Sequence, residues 1–118
     1  MTTGITSGKR KGLEAVADSR GVIAALAIDQ RGAMPRLFAK AMGVESASVP
    51  AETLVTFKEA VSRILTPHAS AILLGPEYGL AAARQTAKSA ALLLAHEQTG
   101  YDKQMRGRMP SQDTEWMF

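Results

Sequence analysis

The amino-acid sequence predicts an α/β fold with about three parallel strands and flanking helices. Short apolar runs alternate along the chain with segments whose apolar residues recur at helical spacing. Runs that are apolar on both faces are typical of strands in covered parallel sheets, and parallel strands need helical crossover connections. So few strands leave two open edges, and we therefore expect an incomplete domain that is part of a larger sheet.

Glycine and charged residues mark the limits of the first predicted helix and the first predicted strand. Residues 1–8 are expected to form a flexible leader, and residues 9–118 a single partial domain. A short helix is predicted over 8–19. The first strand is predicted over 22–28, because an unbroken apolar run with β-branched residues begins after a glycine and ends at Asp29.

Two helices are predicted between the first and second strands. The first covers 33–42, because Pro35 suits a first-turn position and Gly43 would end the helix. The second covers 51–65, follows Pro50 and has the most regular apolar face of the chain. Its charged side chains are expected to face water: Glu52, Lys58, Glu59 and Arg63.

The second half of the chain supplies two more strands. Residues 69–74 form the second apolar run and lead into a turn-rich loop over 75–79. An alanine-rich helix is predicted over 80–88 and a third strand over 90–96, although alanine and leucine favour helix there. Periodicity disappears from residue 98 onward.

Composition and charge exclude several classes of protein. The 118 residues contain no cysteine, so disulfide scaffolds, zinc fingers and thiol chemistry are excluded. No apolar run approaches the roughly 20 residues that cross a bilayer, and the N-terminus has no signal-peptide pattern. A net charge of +3 is mild for a nucleic-acid partner and suits an anionic ligand. We expect a cytoplasmic protein without a membrane or nucleic-acid partner.

Candidate chemistry lies beyond the carboxyl ends of the strands, where ligands bind in parallel α/β sheets. Three predicted loops there each contain an acid: 29–32, 75–79 and 97–102. In the first, the Asp29 carboxylate stands beside the Gln30 amide and the Arg31 guanidinium, which suits a polyol or a sugar phosphate. The structural alternative is a helix N-cap or an Asp29–Arg31 ion pair.

The other polar residues give weaker signals. Glu77 could orient a substrate hydroxyl, but its neighbours are also good turn formers. His68 and His96 have no carboxylate at ligand spacing, so we expect no metal site. No P-loop and no glycine-rich dinucleotide motif follows a strand, so we expect no nucleotide cofactor.

Three motifs then point to a family: ALAIDQRGAM over 25–34, TPHASAILLGPEYGL over 66–80, and ALLLAHEQTGYD over 91–102. On these motifs the sequence resembles the N-terminal part of tagatose 1,6-bisphosphate aldolases, from about residue 9 to residue 116. Such enzymes are class I lyases on a (β/α)8 TIM barrel. They cleave D-tagatose 1,6-bisphosphate to dihydroxyacetone phosphate and glyceraldehyde 3-phosphate through a lysine Schiff base, without a metal. The resemblance implies the N-terminal portion of an incomplete barrel.

The resemblance also implies roles for the candidate residues. Asp29 matches the first-strand aspartate that handles the substrate hydroxyl during carbon–carbon cleavage, and Gln30 and Arg31 match substrate contacts. Glu77 matches a motif position and is expected to bind substrate. The family commonly has an aspartate where this sequence has Gly75. The implied partner is a sugar phosphate, no cofactor is implied, and a homo-oligomer is possible.

The reacting lysine is expected to lie outside this chain. An imine-forming amine must be desolvated or placed near cations. None of the six lysines sits on an apolar strand; all are expected in the leader, on solvent faces of helices or in the terminal loop: Lys9, Lys11, Lys40, Lys58, Lys88 and Lys103. The 118 residues alone are therefore predicted to be inactive.

Two alternative functions remain open. One is a related aldolase for a sulfofructose phosphate or another ketose phosphate, because substrate identity depends on later strands. The other is a non-catalytic truncated product that oligomerises through its open sheet edges or binds anions.

Overall fold

The computed structural model describes residues 4–96, which form seven helices and strands and two short 3-10 turns. In chain order they are α1 (Ser7–Val16), β1 (Ala25–Ile28), α2 (Ala33–Met42), the turn Ser46–Ser48, α3 (Ala51–Leu65), the turn Thr66–His68, β2 (Ala71–Leu74), α4 (Pro76–Arg84) and β3 (Ala91–Leu94). The third predicted loop and the predicted irregular C-terminal segment lie outside the described residues.

The strands form one parallel sheet in the order β1-β2-β3, which confirms the predicted α/β class. Ile28, Leu74 and Leu94 lie side by side, so the carboxyl ends of the strands meet at one edge. β2 lies at the centre and is the most buried strand. Its neighbours β1 and β3 are half exposed in the part of the chain that the structure describes.

The third strand forms despite its helix-favouring composition. The backbone N–H of Ala91 donates to Ser70 O, and that of Ala95 donates to Leu74 O, both at 2.9 Å. Pairing with the edge of β2 satisfies backbone groups, and this tertiary contact outweighs the intrinsic preference of alanine and leucine.

The first strand is shorter than predicted because Val22 belongs to a turn. Asp18 N donates to Val22 O at 2.8 Å, and Val22 N donates to Asp18 Oδ1 at 3.0 Å. Asp18 Oδ1 also accepts from Arg20 N, and Asp18 Oδ2 forms a salt bridge of 2.8 Å with Arg20 Nη2. The Asp18 carboxylate therefore closes the turn that leads into β1.

This turn predicts an acid-dependent loss of stability. The hydrogen bond from Arg20, followed by the backbone bonds from Val22 and Arg20, lowers the pKa of Asp18 below its ordinary value of 3.8. A carboxyl whose pKa is lower in the folded state stabilises it above the unfolded pKa, and this contribution is lost as pH falls through the folded pKa.

We therefore expect Asp18→Asn to be less stable than the wild type at pH near 7 and equally stable well below pH 3.8. Urea unfolding over this pH range measures the difference, with the exposed Glu14→Gln as the control for charge removal. A difference that does not change with pH would contradict this role of Asp18.

The predicted bounds of α2 and α3 are confirmed. Gly43 ends α2 in the left-handed region, at φ 69°, and its N–H donates to Ala39 O. Pro50 precedes the first turn of α3. α1 is capped by the Thr6 hydroxyl, which accepts from Lys9 N at 3.3 Å, and the helix takes in the last two residues of the predicted leader.

The predicted loop over 75–79 is wrong, and so are both bounds of the helix predicted over 80–88, which ends at Arg84. α4 already begins at Pro76, because proline is favourable in the first helical turn and the negative charge of Glu77 suits the positive end of a helix. Gly79 then lets this first turn pack on the sheet, since a Cβ built on it would lie 3.1 Å from Leu74 Cβ.

The core between the helices and the sheet has an apolar part and a hydroxyl network. Two apolar clusters centre on Leu54 and on Ile72. In the network, the Ser62 hydroxyl donates to Ala82 O at 2.7 Å, and the Thr66 hydroxyl accepts from Ala87 N at 2.8 Å. These bonds fix α3 against α4 and thereby fix the two helices that flank the strand ends. Within residues 4–96, no helix is long and apolar enough to cross a membrane.

Candidate active site

The structure brings the predicted site residues of β1 and β2 together at one edge of the sheet. Asp29 directly follows β1, and Gly75 directly follows β2. Because Ile28 and Leu74 are paired in register, the two connections leave the sheet side by side. A Cβ built on Gly75 would lie 3.1 Å from Asp29 O and 3.7 Å from Arg31 Nε, so the two connections are in direct contact.

The candidate side chains are open to a ligand. Asp29 and Arg31 are half-buried, and Gln30 and Glu77 are exposed. The N-cap alternative for Asp29 is wrong, because Gly32 occupies the N-cap position of α2. The site thus combines carboxylate, amide and guanidinium groups, which can hydrogen-bond hydroxyls and pair with anions.

Glu77 lies in the first turn of α4, next to Tyr78. Burial raises the pKa of Tyr78 above its ordinary value of 10.0, and a side-chain hydrogen bond with Glu77 raises it further. The phenol of Tyr78 therefore donates its proton to the Glu77 carboxylate and holds that side chain at the start of α4.

The prediction that Lys58 faces water is wrong, because its side chain is fully buried. Its Nζ donates to Gln30 O at 2.8 Å and lies 5.8 Å from the centroid of the Tyr78 ring. Burial lowers the pKa of Lys58 below its ordinary value of 10.5, while the carboxylates of Asp29 and Glu77 oppose that shift.

The sequence predicts a buried face of α3 formed by Leu54, Phe57, Val61, Ile64 and Leu65, and of these only Leu54 is fully buried. Phe57 and Ile64 are 41% and 58% exposed. The buried residues of α3 are Leu54, Lys58 and Ser62. Their regular spacing of four residues was the available signal, but two of the three are polar and periodicity of apolar residues does not detect them.

Among residues 4–96, no three histidine, aspartate or glutamate side chains are grouped so that they could hold a metal ion. Glu97 and the rest of the third predicted loop lie outside that range.

The close contact at Gly75 predicts a loss of stability when a methyl group is added. The backbone at Gly75 has φ −88° and ψ 153°, which any residue adopts, so the effect is steric. Overpacking costs about 1–3 kcal/mol, and the smaller entropy of the unfolded chain offsets about 0.4–1 kcal/mol of it. We expect Gly75→Ala to lower the free energy of unfolding by about 1 kcal/mol.

Gly12→Ala is the matched control for this change. Gly12 lies in α1 with nothing within 4 Å of its Cβ position, so alanine is expected to stabilise the helix slightly. Urea unfolding measures both variants. A Gly75→Ala variant that is as stable as Gly12→Ala would show that the two connections are not in contact.

Comparison with known proteins identifies the family. The model of the DeoC/LacD family aldolases matches residues 23–116. The chain is 51% identical over 112 residues to tagatose 1,6-diphosphate aldolase 1 of Enterococcus faecalis, covering 95% of this chain and 33% of that protein. It is 46% identical to tagatose 1,6-diphosphate aldolase 1 of Streptococcus mutans, covering 95% of this chain and 34% of the relative.

A third relative is the tagatose 1,6-diphosphate aldolase of Streptococcus agalactiae, 47% identical over 91% of this chain and 32% of its own length. The chain thus spans about a third of the length of the curated relatives it matches. Its three parallel strands and flanking helices correspond to an N-terminal portion of the family's barrel, which confirms the fold predicted from the resemblance. The chain belongs to the DeoC/LacD family of aldolases.

Proposed function

We propose that this chain is the N-terminal part of a class I aldolase that cleaves D-tagatose 1,6-bisphosphate to dihydroxyacetone phosphate and glyceraldehyde 3-phosphate. One observation carries the proposal: Asp29 is half-buried at the carboxyl end of β1, where its backbone lies against Gly75 of the β2–α4 connection, in a chain 51% identical to a tagatose 1,6-diphosphate aldolase.

In this proposal Asp29 acts on the proton of the substrate hydroxyl. When the carbon–carbon bond breaks, its electron pair moves toward the imine carbon and the adjacent hydroxyl becomes the carbonyl of the aldehyde product. That hydroxyl must lose its proton, and a positioned carboxylate can accept it. The half-open position of Asp29 suits a group that contacts substrate and remains held by the fold.

Gln30, Arg31 and Glu77 are the proposed substrate contacts. The Gln30 amide and the Glu77 carboxylate can hydrogen-bond the hydroxyls of an open-chain ketose, and a guanidinium such as that of Arg31 pairs with phosphate. All three residues lie at the edge where β1 and β2 end. The net charge of +3 also suits a substrate that carries two phosphates.

We further propose that the imine-forming lysine lies outside these 118 residues. Four lysines of the described segment are exposed and so lack the desolvation that activates an amine: Lys9, Lys11, Lys40 and Lys88. Lys58 is desolvated, but its Nζ is fully buried and bonded to Gln30 O, so a ketose cannot reach it in this structure.

A chimera tests the proposed function. In it, this chain replaces the matching third of the Enterococcus faecalis aldolase, and cleavage of tagatose 1,6-bisphosphate is measured for the chimera and for the 118-residue chain alone. We expect the chimera to be active and the chain alone to be inactive. Asp29→Asn should lower kcat of the chimera by about 10²–10⁴-fold, the usual contribution of a general acid or base.

Glu14→Gln is the matched control, because Glu14 is an exposed carboxylate on α1. It is expected to leave kcat unchanged. A folded but inactive chimera would favour the non-catalytic alternative. Equal kcat values for Asp29→Asn and Glu14→Gln would refute the role of Asp29.

A further inference from the structure

Lys58 places its amino group in the interior of the described structure, halfway along α3. Removing an ammonium group from water is costly unless hydrogen bonds and opposite charges offset the loss of hydration. Here Nζ donates to Gln30 O at 2.8 Å. Burial lowers the pKa of Lys58 and the charge of Arg31 lowers it further, whereas the charges of Asp29 and Glu77 favour the ammonium. The buried amino group of Lys58 therefore has its partners at the candidate site.

The Lys58 side chain contacts both connections of that site. Its bond to Gln30 O fixes the backbone immediately after Asp29. Its Nζ lies 5.8 Å from the centroid of the Tyr78 ring, within the range where a cation is attracted to an aromatic ring. Tyr78 follows Glu77 in the first turn of α4. One side chain of α3 thus joins the segment that carries Asp29 to the turn that carries Glu77.

We propose that Lys58 is a positioning residue of the aldolase site, which holds the Asp29 carboxylate in place through the backbone carbonyl of Gln30. The proposal rests on the proposed function, because a position for Asp29 matters only if Asp29 takes part in the reaction. Lys58 does not itself touch substrate, since its side chain has no exposed surface. A catalytic group displaced by about 1 Å can lose about 10²-fold in rate, so holding this segment is consequential.

Three variants separate the ammonium from the rest of the side chain. Lys58→Met keeps a long unbranched side chain and removes the charge and its donors, whereas Lys58→Arg keeps both. Lys40→Met is the matched control, because Lys40 is exposed on α2. In the 118-residue chain, ¹⁵N relaxation gives the order parameters of the Gln30 and Arg31 amides.

We expect order parameters of about 0.85 in the wild type and in Lys40→Met, and below about 0.6 in Lys58→Met, with recovery in Lys58→Arg. Unchanged values in Lys58→Met would overturn the proposal. If Lys58→Met does not fold, NMR of the wild type tests the proposal instead. We expect a Lys58 ammonium signal that is protected from exchange and correlates with the Gln30 carbonyl carbon. The absence of that signal would overturn the proposal.

The chimera supplies a readout that a merely structural role would not change. We expect Lys58→Met to lower kcat by about 10²-fold with a much smaller change in KM, and Lys58→Arg to restore most of it. A normal kcat in Lys58→Met, or a change confined to KM, would refute the positioning role alone. A chimera that is inactive with native Lys58 would refute the proposed function itself, so the two failures are distinguishable.

Discussion

Replacing Ile72 with alanine is expected to lower the free energy of unfolding by about 2–5 kcal/mol. Ile72 is fully buried at the centre of β2, in register with Leu26 of β1 and Leu92 of β3. It packs in one cluster with Leu74 and Ala82. Truncation removes buried apolar surface and leaves a cavity that the neighbouring strands cannot fill without losing their pairing.

Urea unfolding of a graded pair measures this effect. Ile72→Val should cost about 0.5–1.5 kcal/mol, and it keeps the comparison informative if Ile72→Ala is too unstable to fold. Ile64→Ala is the control, because Ile64 is 58% exposed on α3. Equal stabilities of Ile72→Ala and Ile64→Ala would contradict the central, buried position of β2.

Replacing Thr66 with valine is expected to cost about 1–3 kcal/mol although the two side chains have nearly the same shape. The buried Thr66 hydroxyl donates to Ser62 O at the end of α3 and accepts from Ala87 N, which follows α4. Valine would leave the partly buried N–H of Ala87 without this acceptor, and an unsatisfied donor shielded from water costs more than a hydrogen bond gains.

Thr66→Ser retains the hydroxyl and serves as the comparison. It should lose only the free energy of one methyl group, about 1 kcal/mol, and keep the network intact. Thermal unfolding of both variants at one pH gives the difference. If Thr66→Val is as stable as Thr66→Ser, the hydroxyl network does not hold α3 against α4.

The sequence predicts the parts of this fold that local chemistry determines. The end of α2 follows from Gly43 and the start of α3 from Pro50. Glycine adopts backbone conformations that other residues avoid, and proline restricts the backbone, wherever they occur. The start of α4 was mispredicted because the residues from Gly75 to Gly79 suit both a turn and a helix N-terminus. Pro76 and Glu77 favour the helix locally, and the close packing of Gly79 on Leu74 adds a tertiary contact that the local sequence does not show.

The candidate site was predictable to the same extent. Asp29 and Glu77 could be placed at a common edge, because parallel strands end together and ligands bind there. The burial of Lys58 could not be predicted, because a lysine on a helix is almost always solvated. Its amino group is buried here against the carbonyl of a residue 28 positions earlier in the chain. Residues that act through tertiary contacts leave little pattern in the local sequence.

The central claim is that this chain supplies the carboxylate that accepts the substrate proton, and that the imine-forming lysine lies elsewhere. Borohydride trapping with peptide mapping tests this claim most directly. The chimera and the 118-residue chain are each reduced in the presence of tagatose 1,6-bisphosphate, and the modified lysine is located by mass spectrometry. We expect an adduct in the chimera on a lysine contributed by the Enterococcus faecalis portion, and none on the chain alone. A stable adduct on Lys58, or on any other lysine of this chain, would contradict the account.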